Sequence, residues 1–202
     1  NRTTGDALDL RKEHNRDKKT IIAILPGSRK QEITKMLAVM LSVVDDFPDY
    51  QFVIAGAPSQ EFTFYAQFLK NKNVHFISNK TYDLLSMSYA ALVTSGTATL
   101  ETALFKVPEV VCYKGSWASY QIAKRVVTLK YISLVNLIMD KEVVTELIQD
   151  DCNSRKIKIE LEKLLEPIYR NKVLAQYDIL ETKLGGAGAS EKTANSIVRN
   201  LK

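Results

Sequence analysis

The chain has 202 residues, 46% apolar and 25% charged, with 8 glycines and 5 prolines. That composition supports one sizeable core and excludes a disordered or fibrous chain. The net charge of +5 is scattered, gathering only weakly at 11–19 and 124–130. An anionic substrate or lipid headgroup is therefore compatible, whereas no basic-aromatic stripe points to nucleic acid.

Residues 1–19 read as a linker or the start of a domain, and the absence of an initial methionine suggests a piece of something longer. Then short, β-branched, almost continuously apolar runs alternate with amphipathic segments. "TIIAIL" (20–25), "QFVIAGA" (51–57), "VHFIS" (74–78), "AALVT" (90–94) and "EVVCY" (109–113) predict strands buried on both faces. Helices are predicted over 30–46, 59–71, 82–89 and 97–106, with Pro48 and Pro108 just past two of their ends. Beyond 115 the pattern is mainly helical, at 116–129, 142–150 and 153–171, with 131–138 ambiguous and extended. "GGAGAS" (185–190) reads as a hinge before a last helix, 190–201, capped by Ser190. The alternation predicts an α/β fold: a Rossmann-like parallel sheet with helices on both faces, spanning 20–184 as one domain.

Two strand-to-helix junctions carry the polar chemistry. Pro26-Gly27-Ser28-Arg29 follows the first strand, and Ser95-Gly96-Thr97 follows the fourth. Gly27 allows an unusual turn, Ser28 is a candidate cap, and Arg29 offers a planar fork for phosphate or carboxylate. Freed helix amides at the second turn form an anion site, to which Thr97 and Thr99 add hydroxyls. Glu101, one helical turn after Thr97, is placed to accept from sugar hydroxyls. Later in the chain Asn136 stands among apolar residues, and Glu146 and Gln149 share one face of the helix expected at 142–150.

Several chemistries have no footing. There is no Walker A loop, no G-x-S-x-G elbow and no D-x-D pair. Two histidines and two well-separated cysteines give zinc nothing to grip, so no metal and no cofactor are expected. The cysteines make no disulfide framework, Cys112 reads as core, and a reducing cytosol fits. No run reaches the roughly 18 apolar residues of a membrane span, and no secretory signal is visible.

Four blocks in order resemble one family: "ILPGSRKQEI", "SGTATLETALFKVPEVVCYK", "KYISLVNLIMDKEVVTELIQDD" and "GGAGASEKTANSIV". Together they resemble the C-terminal half of bacterial lipid-A-disaccharide synthases, GT-B-type glycosyltransferases with two Rossmann-like domains facing across a cleft. The resemblance implies a donor-binding half that transfers 2,3-diacylglucosamine from UDP to 2,3-diacylglucosamine 1-phosphate, releasing UDP without a metal. It assigns the phosphate-cradling loop to Gly27, Ser28 and Arg29, and the diphosphate turn to Ser95, Gly96 and Thr97 with Thr99. Glu101 becomes the ribose contact, and Asn136, Glu146 and Gln149 become pocket lining, with Arg29 and Asn136 catalytic. The sequence departs from the pattern at Val135 and Thr145, where proline is usual, and at Lys114, where arginine often stands. The acceptor is expected to engage through the N-terminal domain, which would also carry the base, so this chain alone should bind nucleotide without turnover. The resemblance further implies a cytoplasmic enzyme peripheral on the inner face of the inner membrane, with "SYQIAKRVVTLKYI" a candidate surface contact, and leaves monomer or homodimer open. Two alternatives stand beside it: another GT-B-like UDP-sugar enzyme such as a 2-epimerase, and a non-catalytic lipid- or protein-binding α/β module.

Overall fold

The computed structural model describes residues 19–70, 72–115 and 130–185. Six parallel strands run in the order β3-β2-β1-β4-β5-β6: β1 (Thr20–Leu25), β2 (Tyr50–Gly56), β3 (Val74–Ser78), β4 (Ser88–Thr94), β5 (Glu109–Tyr113) and β6 (Thr145–Ile148). Between and after them lie α1 (Lys30–Leu41), α2 (Phe62–Leu69), α3 (Thr81–Met87), α4 (Thr97–Leu104), α5 (Leu134–Met139), α6 (Ser154–Leu165) and α7 (Pro167–Lys183).

The continuous apolar runs have a direct cause. Successive side chains of a strand point to opposite faces, and here both faces are covered. In β1, Ile22 and Ile24 join the core beneath α1, α6 and α7, where Ile33, Leu37, Ile157, Leu161 and Tyr177 pack. Ile21, Ala23 and Leu25 face the other core, with Val53, Ala91 and Leu84 of α3. Cys112 is in the core, as expected.

Several boundaries and one element type differ from the sequence expectation. The helix expected at 30–46 ends at Leu41, and a 3-10 turn, Val44–Asp46, carries the chain into β2. The helix expected at 142–150 is instead the edge strand β6, paired in register with β5 from Val110↔Thr145 to Tyr113↔Ile148. Only Leu147 of that strand is fully buried, so its alternation is weak and its spacing imitates a helix. Conversely, 134–139 of the ambiguous stretch is the short helix α5. The helix expected at 153–171 is two helices, broken at Glu166 because Pro167 forces its predecessor into an extended conformation (φ −67, ψ 121). The helices expected at 116–129 and 190–201, nearly all of the hinge, and nearly all of the candidate membrane-contact stretch lie outside the described residues.

Candidate functional site

The strand order reverses between β1 and β4, and there the carboxyl ends of β1, β2 and β4 surround a cleft of 380 Å³. Open α/β sheets bind ligands at such a switch point, because helices leaving on opposite faces hold the two loops apart.

Three loops build it. In the β1–α1 loop, Gly27 has φ 101, and a Cβ there would lie 2.1 Å from Glu32 Oε2. That carboxylate is close because it accepts the Ser28 N–H at 3.1 Å, turning back over the start of its own helix. Ser28 does not cap α1 with its hydroxyl. The cap position falls on Arg29, which is extended (φ −93, ψ 137) and makes no side-chain cap bond. The Arg29 side chain is exposed and has no ionic partner among the described residues. Ser59 Oγ donates to Ser28 O at 3.1 Å and ties this turn to the β2–α2 loop.

That second loop, with Gly56, Ala57 and Pro58, was not expected in the site. Its Ala57 N–H donates to the hydroxyl of Tyr65 at 2.9 Å, and Tyr65 is fully buried, which raises its pKa. A glycine closing a strand, with a proline two residues on, was the available signal.

The third loop is Ser95-Gly96-Thr97. Ser95 N–H donates to Cys112 O at 3.2 Å, and its Oγ donates to Ile132 O at 3.0 Å. No side chain caps α4, and a Cβ on Gly96 would meet nothing within 4 Å, so the entry to the helix is uncrowded and its first amides have no side-chain partner. Thr97 and Glu101 both line the cleft from α4. Thr99 does not: it is buried, and its hydroxyl donates to Gly96 O at 2.8 Å, bracing the turn from beneath.

Glu101 has a partner that sequence reasoning missed. Tyr82 OH donates to Glu101 Oε1 at 3.2 Å, and the nearby carboxylate raises the tyrosine pKa. The Tyr82 ring is exposed and stacks on Phe105 with centroids 5.4 Å apart. With Pro58, Thr81 and Glu101 it lines an adjoining hollow of 450 Å³. A single exposed tyrosine in a short helix whose apolar residues serve the core gives no pattern to read.

Asn136, Glu146 and Gln149 lie elsewhere. None lines the cleft, and Glu146 and Gln149 do not share a helix face, since the first is on β6 and the second begins a 3-10 turn with φ 53. Asn136 is fully buried and its amide is fully engaged. Oδ1 accepts Val143 N–H at 2.7 Å and Val144 N–H at 3.0 Å, while Nδ2 donates to Val144 O at 2.8 Å and Glu146 Oε1 at 2.9 Å. Glu146 also accepts Ile132 N–H (2.8 Å), Ser133 N–H (2.9 Å) and Ser133 Oγ–H (2.7 Å). Since Ile132 O receives Ser95 Oγ–H, this carboxylate knot reaches the cleft indirectly, by fixing the segment against which Ser95 is held. Among the described residues, no group of three or more His, Cys, Asp or Glu is arranged to hold a metal ion.

The family model for lipid-A-disaccharide synthetase matches residues 5–198. The chain belongs to the lipid-A-disaccharide synthetase family. Relatives in that family include the lipid-A-disaccharide synthases of Syntrophus aciditrophicus, 37% identical over 187 residues, and Geobacter sulfurreducens, 34% identical over 188. The matches cover 89% and 90% of this chain but 49% of each relative, so the chain spans about half the family's length. Among solved structures, the C-terminal domain of a group 1 glycosyl transferase from Francisella tularensis superposes with TM-score 0.57 at 18% identity, covering 88% of this chain and 93% of that one. The glycosyltransferase WaaG gives 0.57 at 15%, covering 96% of this chain and 51% of that one. These likenesses establish the fold, that of the C-terminal domain of a GT-B glycosyltransferase, and the family match selects among the functions this fold hosts.

Proposed function

We propose that this chain is the donor-binding half of a lipid-A-disaccharide synthase: it holds UDP-2,3-diacylglucosamine while the sugar passes to 2,3-diacylglucosamine 1-phosphate. The observation that carries the reading is the cleft itself. Two helices without side-chain caps, α1 and α4, begin on either side of one switch point, with the unpaired Arg29 between them.

As the glycosidic bond breaks, negative charge accumulates on the departing diphosphate. Helix-end amides at Gly96 and Thr97 and the Arg29 fork are donors already fixed in place, so little reorganisation opposes the transfer. The open space around Gly96 lets the diphosphate approach the amides closely. Glu101, steadied by Tyr82, accepts hydrogen bonds from ribose hydroxyls, and the hollow beside Tyr82 has room for the base. Asn136 and Glu146 act as positioning residues, through Ile132 and Ser95. The base that activates the acceptor belongs to the other half, so this chain binds UDP without turning over. No helix among the described residues is long and apolar enough to cross a membrane. In this reading the enzyme works in the cytoplasm, against the inner face of the inner membrane where its acylated substrates lie.

Calorimetric titration of UDP into the chain tests the assignment. Arg29→Ala removes a charge-assisted contact and should weaken binding about tenfold or more. Thr97→Val should weaken it by a smaller factor. A well-folded chain that binds no UDP, or binds it equally in both variants, would overturn the donor-site assignment.

A further inference from the structure

A second cleft, of 430 Å³, opens on the far side of Arg29, between α1 and the end of β5. Arg29, Lys30, Lys35 and Lys114 line it, against one carboxylate, Glu32, which also accepts the Ser28 N–H, so the lining charges sum to a clear excess of positive. None of the four cations has an ionic partner among the described residues, although Lys30 Nζ sits over the Phe64 ring, 5.3 Å from its centre. Six other lysines, Lys72, Lys106, Lys130, Lys156, Lys158 and Lys163, each have a carboxylate within 4.0 Å. The charges in this cleft are therefore left unbalanced in a concave place, where low-dielectric walls concentrate the field.

A separate observation points into the same place. Thr94, at the carboxyl end of β4, is 3% exposed, and its Oγ1 is buried without a hydrogen-bond partner. Buried hydroxyls are almost always paired, so an orphan one calls for an explanation. Thr94 lines both this cleft and the first, as do Arg29 and Glu32. A second hydroxyl, that of Tyr113, is kept at the cleft by Gly115, where a Cβ would lie 2.7 Å from it.

We propose that this second cleft binds the phosphomonoester of the acceptor, so that both halves of the enzyme hold the acceptor. Compact, strongly hydrated ammonium groups on flexible stems suit a phosphate dianion, whereas the donor diphosphate already has the fixed amides of the first cleft. The two clefts meet at Arg29, so a group bound here lies beside the departing diphosphate. Of the two substrates, the acceptor carries the terminal phosphate. That assignment rests on the donor-site reading; the capacity of the cleft for a phosphate dianion does not.

The test uses the full 202-residue chain, at low ionic strength so that exposed charges are not screened. UDP is titrated first, then glucosamine 1-phosphate with UDP saturating, with inorganic phosphate in parallel. Glucosamine 1-phosphate should bind alongside UDP and more tightly than inorganic phosphate. Replacing two of the lysines together, the exposed Lys35→Gln with the half-buried Lys114→Gln, should weaken it about tenfold and leave UDP affinity within about twofold. Circular dichroism confirms that the double variant is folded. One-for-one displacement of UDP, indifference to the double substitution, or equal binding of inorganic phosphate would each overturn the proposal. UDP binding with no sugar-phosphate binding sinks the second cleft alone. Sugar-phosphate binding that responds to the lysines, without UDP binding, supports this cleft and sinks the donor reading.

Discussion

Asn136→Ala separates two roles that sequence alone leaves joined. The side chain makes four hydrogen bonds of 2.7–3.0 Å with no exposed surface. Truncation removes all four and strands the N–H groups of Val143 and Val144, which are themselves buried. At about 1 kcal/mol net per bond, with stranded buried donors costing about 1–3 kcal/mol each, the loss is about 4 kcal/mol or more. For a chain of this size that corresponds to a melting temperature about 10 °C lower. Thermal melts followed by circular dichroism read this directly, with UDP titration below the transition as the second readout. Asn136→Asp sharpens the test. It keeps the acceptor for both amides but sets a second carboxylate against Glu146 Oε1, where the amide nitrogen now sits at 2.9 Å. Like charges at that distance destabilise, so this variant should recover stability as pH falls and one carboxylate takes a proton. A melting temperature within 2 °C of wild type (a difference of about 1 kcal/mol or less) together with lost UDP binding would refute the bracing role and make Asn136 a ligand contact.

Two other outcomes are expected. Gly27→Ala places a Cβ at φ 101 and 2.1 Å from Glu32 Oε2. It should cost about 1–2 kcal/mol from the backbone alone and weaken UDP binding, because Glu32 must leave the Ser28 N–H; unchanged melting and binding would contradict the described turn. Glu109 is 1% exposed with neither oxygen partnered, and burial, then Glu146, raises its pKa well above the ordinary value. A carboxyl whose folded pKa is raised stabilises fully below its unfolded pKa, and that contribution is lost as pH rises through the folded one. Melts across pH 4 to 9 should show Glu109→Gln gaining on wild type toward the alkaline side, and parallel curves for the two proteins would show that Glu109 is not held protonated.

The fold was legible where burial on both faces dictates residue type. The strands at 20–25, 74–78 and 109–113 have the bounds expected from their apolar runs. It was illegible at β6, because an edge strand with one fully buried residue carries too little alternation to tell period 2 from period 3.6. In the site, the turns at Gly27 and Gly96 showed themselves because a glycine between a strand and a helix has few other uses. Tyr82 and Glu32 did not, since the first acts as one exposed ring and the second through a backbone amide four residues earlier. Asn136 stood out as a polar residue in an apolar run, yet its partners are mostly main-chain atoms, and composition says nothing about those. Prominence in the sequence marked it as important and left its purpose open.

The strand order has a consequence for how the chain is made. During synthesis β1, β2 and β3 emerge first and can pair among themselves, while the other side of β1 waits for β4. Until β4 arrives, the nascent chain presents a bare, strongly apolar border along Ile21–Leu25, with unpaired peptide groups that any extended segment could extend. The same border becomes the lip of the ligand cleft once β4 docks. Mutations that slow the arrival of β4 should therefore appear first as aggregation on the ribosome or soon after release.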